Sequence, residues 1–254
     1  EASRERCRIL LFHVDRDGVV EIAARAEAVG TASNPPAVRV LVAVGDSDEV
    51  LREHVGTVRR EDMRAWHAGA ALPAYLNSRS IGIEIVNGGH DFGCPPFPDA
   101  QIQAVIALCR DILSRWPIAP QHVLAHSDIA PDRKRDPGEM FPWQTLYDNG
   151  VGLWVAPSPI TEGMTMTLGD EGEQVRALQT ALADYGYGLT PSGQFDQGTA
   201  DVVTAFQRHF RPALVDGVAD AGALLAGRLA LAGDADACLL QREAQQLGLL
   251  LDEA

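Results

Sequence analysis

No stretch of this sequence approaches the roughly 18 consecutive apolar residues that a membrane-spanning helix requires, so a transmembrane helix is excluded. Basic residues are also in short supply. Lys and Arg number 21 against 35 Asp and Glu, which gives a net charge of −14. Binding through nucleic-acid phosphates needs clustered Lys and Arg, and that class of partner is excluded as well. Cysteine is scarce: Cys7, Cys94, Cys109 and Cys238 are widely scattered, with no C-x-x-C spacing. A zinc ribbon or a redox pair would need such spacing. Cys109 falls within an apolar helical pattern and reads as a small buried hydrophobe.

What remains is the composition of a globular protein, with 46% hydrophobic and 22% charged residues, too balanced for disorder. A length of 254 residues predicts two domains, one of them small. The acidity is uneven. Residues 1–155 carry 16 basic and 21 acidic side chains, a net of −5, while residues 156–254 carry 5 and 14, a net of −9. Any polymer bound by the second part must therefore be held by a shaped groove, and most of its carboxylates read as solvated surface.

Short apolar runs predict strands at Arg8–Phe12, ending at His13, at Val38–Val44, and at Ser80–Val86, where Asn87-Gly88-Gly89 turns the chain. Ile102, Val105, Ile106, Cys109 and Leu113 recur at helical spacing between Pro98-Asp99 and Trp116-Pro117. Val123–Ala125 is a brief strand leading into His126. Strands mixed with amphipathic helices predict an α/β or α+β domain over residues 1–155. Residues 156–167, with Pro157, Pro159 and Gly163, read as a linker. Beyond them the pattern is helical. Val175, Leu178, Leu182 and Tyr185 share one face; Asp196 caps a second helix carrying Val202, Val203, Ala205 and Phe206; a third begins at Asp220. Gly193-Gln-Phe-Asp before one helix echoes Gly217-Val-Ala-Asp before the next. This predicts a small three-helix all-α domain over residues 168–231, followed by a helix-prone tail over 232–254.

Chemistry concentrates in three places. His126-Ser-Asp-Ile-Ala-Pro-Asp-Arg-Lys-Arg-Asp136-Pro-Gly138 packs a His, three Asp and a Lys into one Pro-bounded loop, and loops on a rigid scaffold are where catalytic groups gather. His126 and Asp136 lie ten apart, so the loop must fold back to join them; a helix would hold them about 15 Å apart. His13, at a strand end, can supply a third ligand to a hydrolytic zinc site, which takes three protein ligands and leaves one position to water. Glu84 is a lone carboxylate among apolar strand residues, costly to bury unless paired or functional, and reads as a candidate base.

Three segments, Arg64-Ala-Trp-His-Ala-Gly69, Ser80-Ile-Gly-Ile-Glu-Ile-Val-Asn87 and His126 to Gly138, closely resemble the type 2 N-acetylmuramoyl-L-alanine amidases, the AmpD/AmiD family. The resemblance covers roughly residues 8–155. Residues 172–231, with Val175-x-x-Leu178-Gln179, Phe206-Gln207 and Val215-Asp216-Gly217, resemble the three-helix peptidoglycan-binding domain, a pairing most like the AmiD branch.

The resemblance implies a mixed central sheet flanked by helices and hydrolysis of the amide between the muramoyl lactyl group and L-alanine. It implies Zn2+ held by His13, His126 and Asp136, Glu84 as catalytic base and Lys134 assisting it. It further implies that Trp66, His67, Asn87 and Arg133 lie beside the substrate groove. His54, His90, His122 and His209 match no site position. The segment after His13 departs from the family, reading Val14-Asp15 where Tyr-Thr is usual. That departure motivates an alternative, a peptidoglycan-recognition protein without the metal. The expected partner is peptidoglycan or a muropeptide. A wall-binding module points to the periplasm or cell envelope, with the cytoplasm as the alternative setting.

Overall fold

A computed structural model describes residues 8–14, 40–43, 56–57, 80–157 and 165–220, the first three segments and Val86 by their backbone alone. The chain divides into two compact units, residues 1–153 and 154–254.

In the first unit, β1 (Arg8–Val14), β2 (Val40–Ala43), β3 (Gly56–Thr57), β4 (Ser80–Val86) and β5 (Val123–Ala125) form one sheet in the order β3-β2-β4-β1-β5. β1 runs parallel to both β4 and β5, and β2 runs parallel to β4; only β3 is antiparallel. The expected mixed sheet is present. β4 lies at its centre, and this explains its apolar composition: Ile81, Ile83 and Ile85 are all buried, as in strands covered on both faces.

Helix α1 (Asp99–Arg115) buries Ile102, Val105, Ile106 and Cys109, as the helical spacing predicts. Its last core residue is Ile112 rather than Leu113, which is half-buried. The stripe steps back by three there because an α-helix advances 3.6 residues per turn. Complete burial pushes the Cys109 thiol up to about 12, in keeping with a side chain that packs rather than reacts. α2 (His126–Ile129) follows β5 directly, and α3 (Trp143–Asp148) closes the unit. Phe97, Phe141 and Trp143 meet edge to face at 5.2 and 4.9 Å, tying the loop before α1 to the loop before α3.

In the second unit, α4 (Glu173–Tyr185) and α5 (Gln197–Phe210) enclose a core of Val175, Leu178, Leu182, Phe195, Val202, Val203, Phe206 and Phe210. Asp196 caps α5 as expected, its Oδ1 accepting from the Thr199 backbone N–H at 2.9 Å, which holds its carboxyl below the ordinary value. One element differs from the sequence expectation. Thr165–Met166, at the end of the segment read as a linker, is β6 and pairs antiparallel with Ala219–Asp220, β7. Strands of two residues carry no alternation to recognise. Asp220, read as the start of a third helix, closes β7 instead; the rest of that expected helix and the tail lie outside the described residues.

The echoed turns are built alike. Gln179 Oε1 accepts from Gly193 N–H at 2.8 Å while its Nε2 donates to the Gln194 carbonyl at 2.8 Å. Gln207 Oε1 accepts from Gly217 N–H at 2.8 Å and Asp216 N–H at 3.0 Å, and its Nε2 donates to the Val218 carbonyl at 2.9 Å. Each fully buried glutamine thus completes a turn that cannot complete itself. Gln207→Leu strands those backbone groups, each worth about 1–3 kcal/mol. Hydrogen exchange should show markedly faster exchange at Asp216 and Gly217 with β4 unchanged; unaltered rates at these amides would refute the brace.

Candidate active site

The sheet gathers the candidate residues at one edge. Because β1, β4 and β5 are parallel, their carboxyl ends share a side, where open α/β sheets place their sites. Phe12 pairs with Glu84, His13 with Ile85, and Leu11 with Ala125, so the backbone of His13, Glu84 and His126 reaches that edge within one or two residues of register. The side chain of His13 lies outside the described residues, as do Trp66 and His67 entirely.

The loop after β5 folds back, as the ten-residue spacing requires. Ala125 N–H donates to Asp128 Oδ2 at 2.8 Å, capping the single turn of α2. Asp128 therefore acts as a cap, the commoner role for this residue type. Ser127 N–H then donates to the Asp136 carbonyl at 3.0 Å, closing the loop on itself. The result sets His126 Nδ1 2.8 Å from Asp136 Oδ2, both residues only 7% exposed. The Arg133 and Lys134 amides are tied to the Ala130 carbonyl. Arg133 is exposed and Lys134 half-buried, the latter without an ion pair among the described residues.

Glu84 is 8% exposed, and its Oε2 has no hydrogen-bond partner among the described residues. Burial, and secondarily the negative charge of Asp136, push its carboxyl from 4.5 up to about 7. Two carboxylates that destabilise each other in a buried pocket, one with an orphaned oxygen, make a site short of positive charge. A histidine nitrogen and a carboxylate oxygen already meet there, at a spacing that two ligands of one small cation can take. His126 and Asp136 thus offer two of the ligands a divalent metal would take here; the side chain of the third expected ligand, His13, lies outside the described residues.

Asn87 is nearly buried and spent on its own loop. Its Oδ1 accepts from Gly89 N–H at 2.8 Å and its Nδ2 donates to the Pro95 carbonyl at 3.1 Å, a geometry that shapes the loop beside Glu84. His90 matches no site position by sequence, yet its Nε2 lies 2.9 Å from Glu139 Oε2, and the Cys94 thiol lies 3.9 Å from Glu139 Oε1. A separation of 45 and 49 residues hides that grouping from any spacing rule.

A family model described as N-acetylmuramoyl-L-alanine amidase matches residues 5–139, and a peptidoglycan binding domain model matches residues 171–224. The N-acetylmuramoyl-L-alanine amidase AmiD of Escherichia coli is 41% identical over 169 residues, 63% of this chain and 61% of that protein. The 1,6-anhydro-N-acetylmuramyl-L-alanine amidase AmpD of Enterobacter cloacae is 39% identical over 89 residues, 34% of this chain and 46% of AmpD. The chain thus spans less than two thirds of the length of these curated relatives. Among solved structures, E. coli AmiD in complex with its substrate anhydro-N-acetylmuramic acid-L-Ala-D-γ-Glu-L-Lys superposes with a TM-score of 0.68 at 33% identity, covering 91% of each chain. AmpDh3 of Pseudomonas aeruginosa gives 0.63 at 31% identity, covering 90% of this chain and 91% of that one.

Proposed function

We propose that this chain, which belongs to the N-acetylmuramoyl-L-alanine amidase family, hydrolyses the amide between the lactyl group of N-acetylmuramic or anhydro-N-acetylmuramic acid and L-alanine, with zinc as its metal. The observation that carries this reading is the buried Glu84 carboxyl, raised partly by the charge of Asp136, which itself meets His126. The muropeptide bound to the AmiD relative supports the substrate class. His13, His126 and Asp136 would hold the zinc, which supplies Lewis acidity when bound, polarising an amide carbonyl and acidifying water.

This chain's own residues do the rest. Glu84 takes a proton from the attacking water as the carbon–oxygen bond forms, and a carboxyl held near 7 is poised to do so at neutral pH. The same group returns that proton to the alanine nitrogen as the carbon–nitrogen bond breaks. Lys134, on the same loop as Asp136, would stabilise charge developing on the carbonyl oxygen with its ammonium group. The second unit, whose acidity disfavours charge-based capture, binds the glycan by shape and keeps the enzyme on the wall. The peptidoglycan-binding domain supports a setting in the periplasm or cell envelope.

Mass spectrometry of anhydro-muropeptides incubated with the protein tests the reaction. Free stem peptide and peptide-free sugar, both abolished by a chelator and restored by zinc, are expected. Intact muropeptide from folded, zinc-supplied protein would leave a recognition module instead. Lys134→Ala should lower kcat by about 10²–10³-fold while leaving zinc content unchanged; loss of zinc along with activity would place Lys134 among the supports of the metal site.

A further inference from the structure

The imidazole of His90, the thiol of Cys94 and the carboxylate of Glu139 offer three ligand atoms, all within 4.8 Å of one another. We propose that they form a second cation site, suited to a thiophilic divalent ion such as Zn2+, which clamps the loop after β4 to the loop after Asp136.

The donor set is one of nitrogen, sulfur and oxygen, which is a zinc set. Zinc held at about 2.0–2.3 Å from each ligand keeps tetrahedral ligand atoms on the order of 3.2–3.8 Å apart. Two separations, 2.9 Å from His90 Nε2 to Glu139 Oε2 and 3.9 Å from Cys94 Sγ to Glu139 Oε1, fall either side of that range, and all three ligand atoms lie within 4.8 Å of one another. Binding an ion would draw the three side chains together by up to about 1 Å. Three protein ligands leave a fourth position to water. The His90 and Glu139 side chains are 18% and 27% exposed, open enough for an ion to enter and covered enough to hold it.

The backbone is bent to bring these groups together. His90–Phe92 is a single 3₁₀ turn, after which Gly93 and Cys94 both adopt left-handed conformations, with φ of 81° and 51°. Cys94 is the sole residue other than glycine to do so among the described residues, and such outliers persist where the surroundings impose them and often mark a function. The Cys94 N–H donates to the Gly89 carbonyl at 2.8 Å, wrapping the sulfur round to the side of His90. On the facing loop Gly138 makes room: a Cβ there would come within 3.2 Å of His90 Cε1. Asn87 and the Phe97–Phe141 contact fix both loops before any ion arrives. On binding, the Cys94 thiol gives its proton to solvent and ligates as thiolate.

Cobalt(II) tests this, because a cysteine thiolate gives it a near-ultraviolet charge-transfer absorption that histidine and carboxylate ligands do not. The set His13, His126 and Asp136 contains no sulfur. Titrating the chelator-stripped full chain with Co2+ should fill two equivalents, one of them with the charge-transfer band. Cys94→Gly should remove the band and one equivalent, and it relieves the left-handed backbone, so misfolding through strain is not a concern. His90→Gln should weaken Co2+ binding at the banded site by about tenfold or more. Absence of a band in the parent, survival of the band in Cys94→Gly, or an unchanged His90→Gln titration would each overturn the proposal.

Discussion

Glu84→Gln should lower muropeptide hydrolysis by roughly 10²–10⁴-fold, the usual contribution of a positioned general base, while zinc content stays at the parent level. Gln matches the shape of Glu and cannot take up a proton. A parent-like rate would move the base elsewhere. The same substitution carries a stability signature. The carboxyl titrates at about 7 in the folded protein against 4.5 when unperturbed, first through burial and then through Asp136. A group whose folded value is raised binds a proton on folding, so its contribution is fully favourable below 4.5 and is lost as pH rises through about 7. Above that window the buried charge costs on the order of 3 kcal/mol. In metal-free protein, Glu84→Gln should match the parent at pH about 4 and exceed its stability by up to that amount at pH about 8. Zinc, which favours the ionised carboxylate, should shrink the difference. Urea denaturation at both pH values reads it directly, and a variant weaker than the parent at the higher pH would contradict a destabilising charge at Glu84.

Much of this site could be read from the residues alone, for physical reasons that also mark where reading stops. Glu84 was conspicuous because burying a carboxylate in a strand such as Ile81-Gly-Ile-Glu-Ile85 is expensive, and the cost shows in its raised carboxyl. The His126–Asp136 pairing was legible because prolines bound its loop and a continuous helix over ten residues would hold the two about 15 Å apart. Strand β4 and helix α1 announced themselves through burial on both faces and through 3.6-residue spacing. The order β3-β2-β4-β1-β5 carries no such signature, since parallel neighbours are chosen by long connections rather than by adjacent residues. The echo of Gly193 and Gly217 was visible, and Gln179 and Gln207 stood among the marks of the domain, but nothing in the sequence pattern showed that these two side chains hold the turns. The His90, Cys94 and Glu139 grouping depends on a left-handed residue and a facing glycine, neither of which a one-dimensional pattern displays.

Asp136→Asn should remove one equivalent of metal and reduce hydrolysis by about 10³-fold or more, the scale of several kcal/mol of lost Lewis-acid stabilisation. One buried carboxylate serves in three ways: as a candidate metal ligand, as the partner of His126 Nδ1 at 2.8 Å, and as a charge that acts on Glu84. Asparagine keeps the shape and can still accept a hydrogen bond from His126, so loss of the fold is not expected. It removes the negative charge, and that separates a ligand from a mere brace. With the like charge gone, Glu84 in the metal-free protein should titrate lower than in the parent. It should still titrate above 4.5, because burial is the larger cause and is unchanged. The pH window over which metal-free stability declines should accordingly move down. Retention of both metal equivalents would exclude Asp136 as a ligand whatever the activity. A Glu84 titration unmoved by the substitution would show that the two carboxylates do not share one site, and the case for a cation between them would fall with it.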